Sequence, residues 1–287
     1  LGEITARLAY KPFAFPSSLI GFRLDGLSIE KQQVLLGIVL SSLAKYYHFL
    51  TCSTWGFWRY EIHEEEHLSL PIRFPENLVL QQRILNAVRQ ITTQSGTPNL
   101  FDPTTPTWRF MQDELDEAIF DLYELSEPQR DLVRDLCQTT LEFFYEGTDS
   151  QAVKPPTVEW LEAYRDAFLE TWIERLAPKG AELEAKIYAP HYGLLCGMAF
   201  ELKEKGAALH QPAVTDDVEW QHWFKQLSTT LRKELTEGIY IDRVVKEVSA
   251  SGMFLIKRAE CRFWTKSQAR QDAQELLTEV FKLEWQQ

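Results

Sequence analysis

Leu115-Asp116-Glu117-Ala118-Ile119-Phe120-Asp121-Leu122-Tyr123-Glu124-Leu125-Ser126-Glu127 is the stretch that decides the fold class. Leu115, Ile119, Leu122 and Tyr123 recur at helical spacing and make one apolar stripe with acidic residues opposite. The spacing predicts a helix over about 112–123 that must bury its stripe on a neighbour. The pattern stops at Leu125. Ser126 with Gln129 three residues later is a capping box, so a second helix starts there and runs to about 146.

Upstream, residues 94–107 hold three prolines and a glycine among Thr and Asn, the clearest linker in the chain. Before it, Leu80, Ile84, Leu85, Val88 and Ile91 mark the buried side of a helix over about 77–93. Pro71 and Pro75 make the segment ahead of that helix extended but unsuited to a central strand. Thr51 to Ile62 reads as extended and crowds Trp55, Phe57, Trp58 and Tyr60 together. Ser28 is the expected N-cap of a helix over about 29–48. Residues 13–24 read as a loop and then a short strand.

Downstream, 147–156 is a second linker ending in Pro155-Pro156, and an amphipathic helix follows over about 157–176. Residues 181–204 read as two strands around Ala189-Pro190-His191. A helix over about 216–236 carries Trp220, Trp223 and Leu227. Ile239–Val248 and Met253–Lys257 form a hairpin joined by Ser249-Ala250-Ser251-Gly252. Ser267 is the expected cap of a last helix to about 284. No repeat or low-complexity tract interrupts the order. The expectation is an α+β, helix-rich chain. Residues 1–105 form a module of mixed strands and helices, and 106–287 form helices packed with a small antiparallel sheet.

The 287 residues carry 45% hydrophobic and 25% charged side chains, an ordinary globular balance. No apolar run approaches the roughly 18 residues that span a bilayer, so no membrane partner is expected. The chain opens at Leu1 rather than Met, which reads as a piece cut from a longer protein. Cys52, Cys137, Cys196 and Cys261 are scattered, with no Cys-x-x-Cys, and suit a reducing cytoplasm. The formal net charge of −12 argues against an autonomous DNA binder, because phosphate affinity comes from Lys and Arg. A local basic surface or a basic partner could still supply it.

Three segments carry candidate chemistry. His63-Glu64-Glu65-Glu66-His67 satisfies H-E-x-x-H, a zinc-hydrolase spacing. Trp58 and Pro71 leave it only about two turns of helix, and the neighbouring Glu61, Glu65 and Glu66 fit an exposed acidic turn, which is the favoured reading over a metal site at His63 and His67. Ser53, Trp55, Arg59 and Tyr60 could present polar and aromatic groups to DNA bases, with an arginine suited to guanine, although aromatics alternating on a strand also simply fill a core. Lys257, Arg258, Arg262, Trp264 and Lys266 interleave bases with aromatics, as phosphate-gripping and base-stacking surfaces do. The alternative is a strand exit with Phe263 and Trp264 packed inside and the charges in water.

Four short signatures follow one another: Tyr46–Gly56, Leu70-Pro71-Ile72-Arg73-Phe74-Pro75, Gln81-Gln82-Arg83-Ile84, and Leu115–Glu127. With Phe15–Gly21 and Ser41-Ser42-Leu43, their order over residues 13–137 resembles the C-terminal, target-recognition side of adenine-N6 DNA methylases from restriction-modification systems, type I-like or fused type II-like. Glu124 stands where that family usually has a glycine. The family's catalytic tetrapeptide, Asn/Asp-Pro-Pro-Tyr/Phe, is missing, since Pro155-Pro156 lies between Lys154 and Thr157. No glycine-rich loop for S-adenosylmethionine is present either. The resemblance therefore implies a non-catalytic DNA-recognition or assembly region of a phage-defence methylase. Its partners would be DNA and a methylase catalytic domain or subunit, and S-adenosylmethionine would bind upstream or in that partner. The rival reading is an acidic protein–protein interaction module, and the less favoured one a zinc-dependent hydrolase using His63 and His67.

Overall fold

The computed structural model describes residues 4–11, 14, 19–53, 62–94, 106–191, 193–232, 244–249 and 252–284. The fold is helix-rich α+β, and its residues divide into two units, Leu1–Leu141 and Glu142–Gln287. The division comes later than the linker at 94–107. Helix α4 (Leu78–Gln94), before that linker, and α5 (Pro106–Leu122), after it, pack on each other and on α1 (Ile29–Leu40), so all three share one core.

Ser41 breaks the helix expected over 29–48 into α1 and α2 (Ser42–Thr51), bent by 59°. Its backbone is extended, at φ −73° and ψ 156°. Its hydroxyl donates to the Ile38 carbonyl (2.7 Å) and accepts from the Ala44 N–H (3.3 Å). One serine thus closes one helix and caps the next, the local competition with backbone bonding that serine side chains offer. Ser28 caps α1 as expected, accepting from the Lys31 N–H.

Val34, Ile38, Ile84, Val88, Leu115 and Ile119 fill the core of this unit. Gly37 of α1 lies against side chains of α4 and α5. A Cβ there would lie 2.8 Å from Val88 Cγ2 and 3.3 Å from Leu115 Cδ1, so a larger side chain would overpack the crossing. The mixed strand-and-helix expectation is not met among the described residues. The only sheet among the described residues lies in the second unit, and residues 19–24, part of an expected strand, form no strand and are mostly exposed. Residues 54–61, most of the expected aromatic strand, lie outside the described residues, and Thr51 belongs to α2. A five-residue helix, α3 (Glu64–Leu68), and the extended 71–75 segment lead to α4.

Ser126 and Gln129 form the predicted capping box, with Gln129 Oε1 2.8 Å from the Ser126 N–H. The helix they open is realised as α6 (Glu127–Asp135), a π-helical turn over Leu136–Thr140, and α7 (Leu141–Glu146).

The second unit is built on four antiparallel strands in the order β1 (Ala181–Tyr188), β2 (Leu195–Glu204), β4 (Gly252–Arg258), β3 (Val244–Ser249). The two-residue period of each strand sorts its side chains. Leu183, Ala185 and Ile187, Cys196, Met198 and Phe200, and Met253 and Leu255 face a core shared with α8 (Val158–Leu176) and α10 (Lys266–Glu284). Tyr188, Leu195, Ala199, Phe254 and Ile256 pack on the other face with Trp220 and Trp223 of α9 (Asp217–Arg232). The Trp223 ring stacks on Tyr188 at 4.0 Å and covers Gly197, where a Cβ would come within 2.6 Å of it. Thr265, not Ser267, caps α10: its Oγ1 accepts from the Gln268 N–H, and Ser267 already lies inside the first turn.

Among the described residues no single helix is long and apolar enough to cross a membrane.

Candidate functional site

The signature segments of the first unit are bonded to one another. Asp116 accepts from the Ser42 N–H (2.7 Å) and hydroxyl (2.6 Å), and from Gln112 Nε2 (3.0 Å). Burial pushes its carboxyl up to about 6, against the pull of those hydrogen bonds. Tyr47 donates to the Ser69 carbonyl at 2.9 Å and Tyr123 to the Pro71 carbonyl at 2.5 Å. Arg73 pairs with Glu124, and Arg83 with Asp121, each at 2.6 Å. Arg130 bridges Asp121 (2.7 Å) and Glu117 (2.9 Å), Arg134 binds Glu117, and both guanidinium groups lie over the Phe120 ring. The acidic side of α5, with Glu124 just past it, is therefore largely an arginine clamp that fixes α4, α5 and α6 together.

Glu124 takes the conformation that a glycine would favour. At φ 56° it lies in the left-handed region. The Leu125 N–H reaches the Phe120 carbonyl and the Glu124 N–H the Asp121 carbonyl, the two bonds of a Schellman stop.

The H-E-x-x-H residues do not share a helical face. His63 stands outside α3 as its N-cap, and His67 lies within it. Glu66 accepts from the His63 N–H (2.9 Å) and from Ser53 through its N–H (2.8 Å) and hydroxyl (3.0 Å). These backbone bonds hold its carboxyl down at about 2. Among the described residues no three or more His, Cys, Asp or Glu side chains are grouped to hold a metal ion. His67 instead meets His48 edge-on, ring centres 5.1 Å apart.

His48 is a residue sequence reasoning passed over. It is 1% exposed, its Nδ1 lies 3.4 Å from Cys52 Sγ, and its Nε2 has no hydrogen-bond partner among the described residues. Burial first, and then the neighbouring His67, push it down to about 4. Burial and Glu66 push the Cys52 thiol up to about 11.

The basic–aromatic stretch of the second unit turns inward. Lys257 continues the Met253, Leu255 register and is 2% exposed, so it faces α8 and α10 instead of solvent. Its ammonium binds Asp272, donates to the Phe263 carbonyl (2.8 Å) and lies over the Tyr164 and Trp264 rings. Tyr164 donates to the same Asp272, and Lys246 reaches its other oxygen at 2.6 Å. Burial pulls the Lys257 pKa down while Asp272 opposes it. Trp264 is fully buried, its indole N–H on the Arg258 carbonyl. Arg258 and Arg262 both pair with Glu260, and Arg262 also lies 4.4 Å from the Phe143 ring centre. Lys266 is exposed at the start of α10. Lys257 and Trp264, read from sequence as surface candidates, are thus interior residues, because strand alternation puts one in the core and the turn after β4 folds the other under it. Ser53 is exposed and bonded to Glu66, while Trp55, Arg59 and Tyr60 lie outside the described residues.

Comparison with known protein families, curated proteins and solved structures found no match.

Proposed function

We propose that this chain is a non-catalytic DNA-recognition or assembly region of an adenine-N6 DNA methylase from a restriction-modification or other phage-defence system, working in the cytoplasm. The observation that carries the reading is the mutual bonding of the ordered signatures. Ser42 with Asp116, Tyr47 with Ser69, Pro71 with Tyr123 and Arg73 with Glu124 join segments far apart in sequence into one scaffold. The signatures are thus the parts of one folded object, as a shared module requires. The sequence has no Asn/Asp-Pro-Pro-Tyr/Phe tetrapeptide, so methyl transfer and S-adenosylmethionine belong to a catalytic domain or subunit elsewhere.

Selection from a randomised duplex library on the immobilised chain tests recognition. A shared sequence element among the retained duplexes supports the reading, and an unenriched output overturns its recognition half.

One observation favours the assembly side, and with it the rival acidic interaction module. Lys257, Arg258 and Arg262 spend their charge on Asp272 and Glu260 rather than on a free basic surface.

A further inference from the structure

Helix α4 carries no acidic side chain. Its seventeen residues, Leu-Val-Leu-Gln-Gln-Arg-Ile-Leu-Asn-Ala-Val-Arg-Gln-Ile-Thr-Thr-Gln, contain two arginines and no carboxylate, whereas the chain carries a net charge of −12. Its apolar side, Ile84, Leu85, Val88 and Ile91, is buried. The opposite side exposes Gln82, Asn86, Arg89, Gln90 and Thr93, at helical spacing along one stripe. Arg83, at the edge of that stripe, is spent on Asp121. Arg89 has no ion pair among the described residues and only a long 3.5 Å contact to Asn86 Oδ1, while Gln82 Nε2 holds the same oxygen at 2.9 Å. Asn86, Arg89, Gln90 and Thr93 line an open cleft of about 390 Å³.

We infer that this stripe of α4 is a base-reading surface for duplex DNA in the major groove. The inference rests on the DNA-recognition reading and names the face that would carry it. Arginine offers a bidentate fork to guanine O6 and N7, asparagine and glutamine offer the matching pair to adenine N6 and N7, and threonine suits either. A duplex major groove admits one α-helix. Gln82 to Thr93 spans about 16 Å of helix axis at about 1.5 Å per residue, the rise of about five base pairs at about 3.4 Å each. A helix without carboxylates also removes the like-charge repulsion that the acidic chain otherwise presents to phosphates.

The experiment is equilibrium binding of the full chain to duplex DNA by fluorescence anisotropy over a salt series, for the wild type, Arg89→Ala and the Asn86→Ala/Gln90→Ala pair. Lys205→Ala, on the second unit, is the control. All changed residues are exposed, and unchanged thermal melting verifies folding. The inference expects about a tenfold or greater loss of affinity for Arg89→Ala. It expects altered sequence preference with an unchanged salt slope for the Asn86/Gln90 pair, since base contacts carry sequence and phosphate contacts carry salt dependence. Wild-type binding that both α4 variants retain unaltered overturns the α4 assignment and leaves the recognition reading standing. No wild-type binding at any salt concentration overturns both.

Discussion

The carboxylate of Asp116 holds the backbone N–H and the hydroxyl of Ser42, 74 positions earlier, at 2.7 and 2.6 Å. The N–H lies in the first turn of α2, where helix donors have no intrahelical acceptor. A side chain from α5 therefore caps α2 and fixes the bend at Ser41. Removing it in Asp116→Ala leaves a buried donor unsatisfied and is expected to cost about 2 kcal/mol or more in denaturant melts, whereas Asp116→Asn keeps an acceptor and costs less. The titration adds a second readout. With its pKa raised from 3.8 to about 6 by burial, Asp116 holds a proton in the folded unit that the unfolded chain has released. Its contribution to stability is full below pH 3.8 and lost as pH rises through about 6. Asp116→Asn removes that loss.

Glu124 at φ 56° forces a side-chain-bearing residue into the left-handed region, at about 1 kcal/mol. Glu124→Gly is expected to raise the melting temperature despite losing the exposed Arg73 pair, itself worth at most about 1 kcal/mol. Glu124→Val should lower it, since β-branching makes that conformation harder still. A glycine variant no more stable than wild type in an Arg73→Ala background contradicts this account of the helix stop.

Much of this was legible in the residues, and the reasons differ by region. The Leu115–Glu127 stripe predicts its helix, and Ser126 with Gln129 predicts the next one, because both signals are local. The Asp116 cap was not legible, since nothing within 70 residues indicates that its carboxylate leaves the acidic face. Lys257 shows the opposite case. Its inward direction follows from alternation with Met253 and Leu255, but density of charge in 257–266 drew attention to sequence neighbours rather than to strand parity. Asp272, at helical spacing from Ala269 and Leu276, carried the complementary signal on α10.

Asp272 is the centre of the buried polar network in the second unit. Asp272→Ala strands the Lys257 ammonium in an apolar core and is expected to destabilise by about 3–5 kcal/mol. Lys257→Met combined with Asp272→Leu and Tyr164→Phe, which also removes the buried hydroxyl that Asp272 accepts from, should recover most of that loss, because replacing a buried polar cluster with packed apolar groups is often neutral. Chemical denaturation followed by tryptophan fluorescence separates the two, and a triple variant as unstable as Asp272→Ala contradicts the charge argument.

His48 folds as a neutral imidazole, its pKa lowered from 6.5 to about 4 by burial and by His67. Between those values the unfolded chain binds a proton that the folded unit refuses. Stability supplied by His48 is complete above pH 6.5 and is lost as pH falls towards 4. Replacing it with an isosteric apolar ring, His48→Phe, is expected to flatten this part of the pH profile. Asp116 acts in the opposite sense between pH 3.8 and about 6, so the comparison is wild type minus variant at each pH. A His48→Phe profile parallel to wild type from pH 4 to 6.5 contradicts the assignment.

Recognition of DNA by this acidic chain is the central claim, and the salt dependence of wild-type duplex affinity tests it most directly. The account predicts saturable binding whose log affinity falls linearly with log salt, with a shallow slope because the chain is acidic, at a net charge of −12. Absence of binding even at the lowest salt contradicts it and leaves the acidic interaction module as the better description.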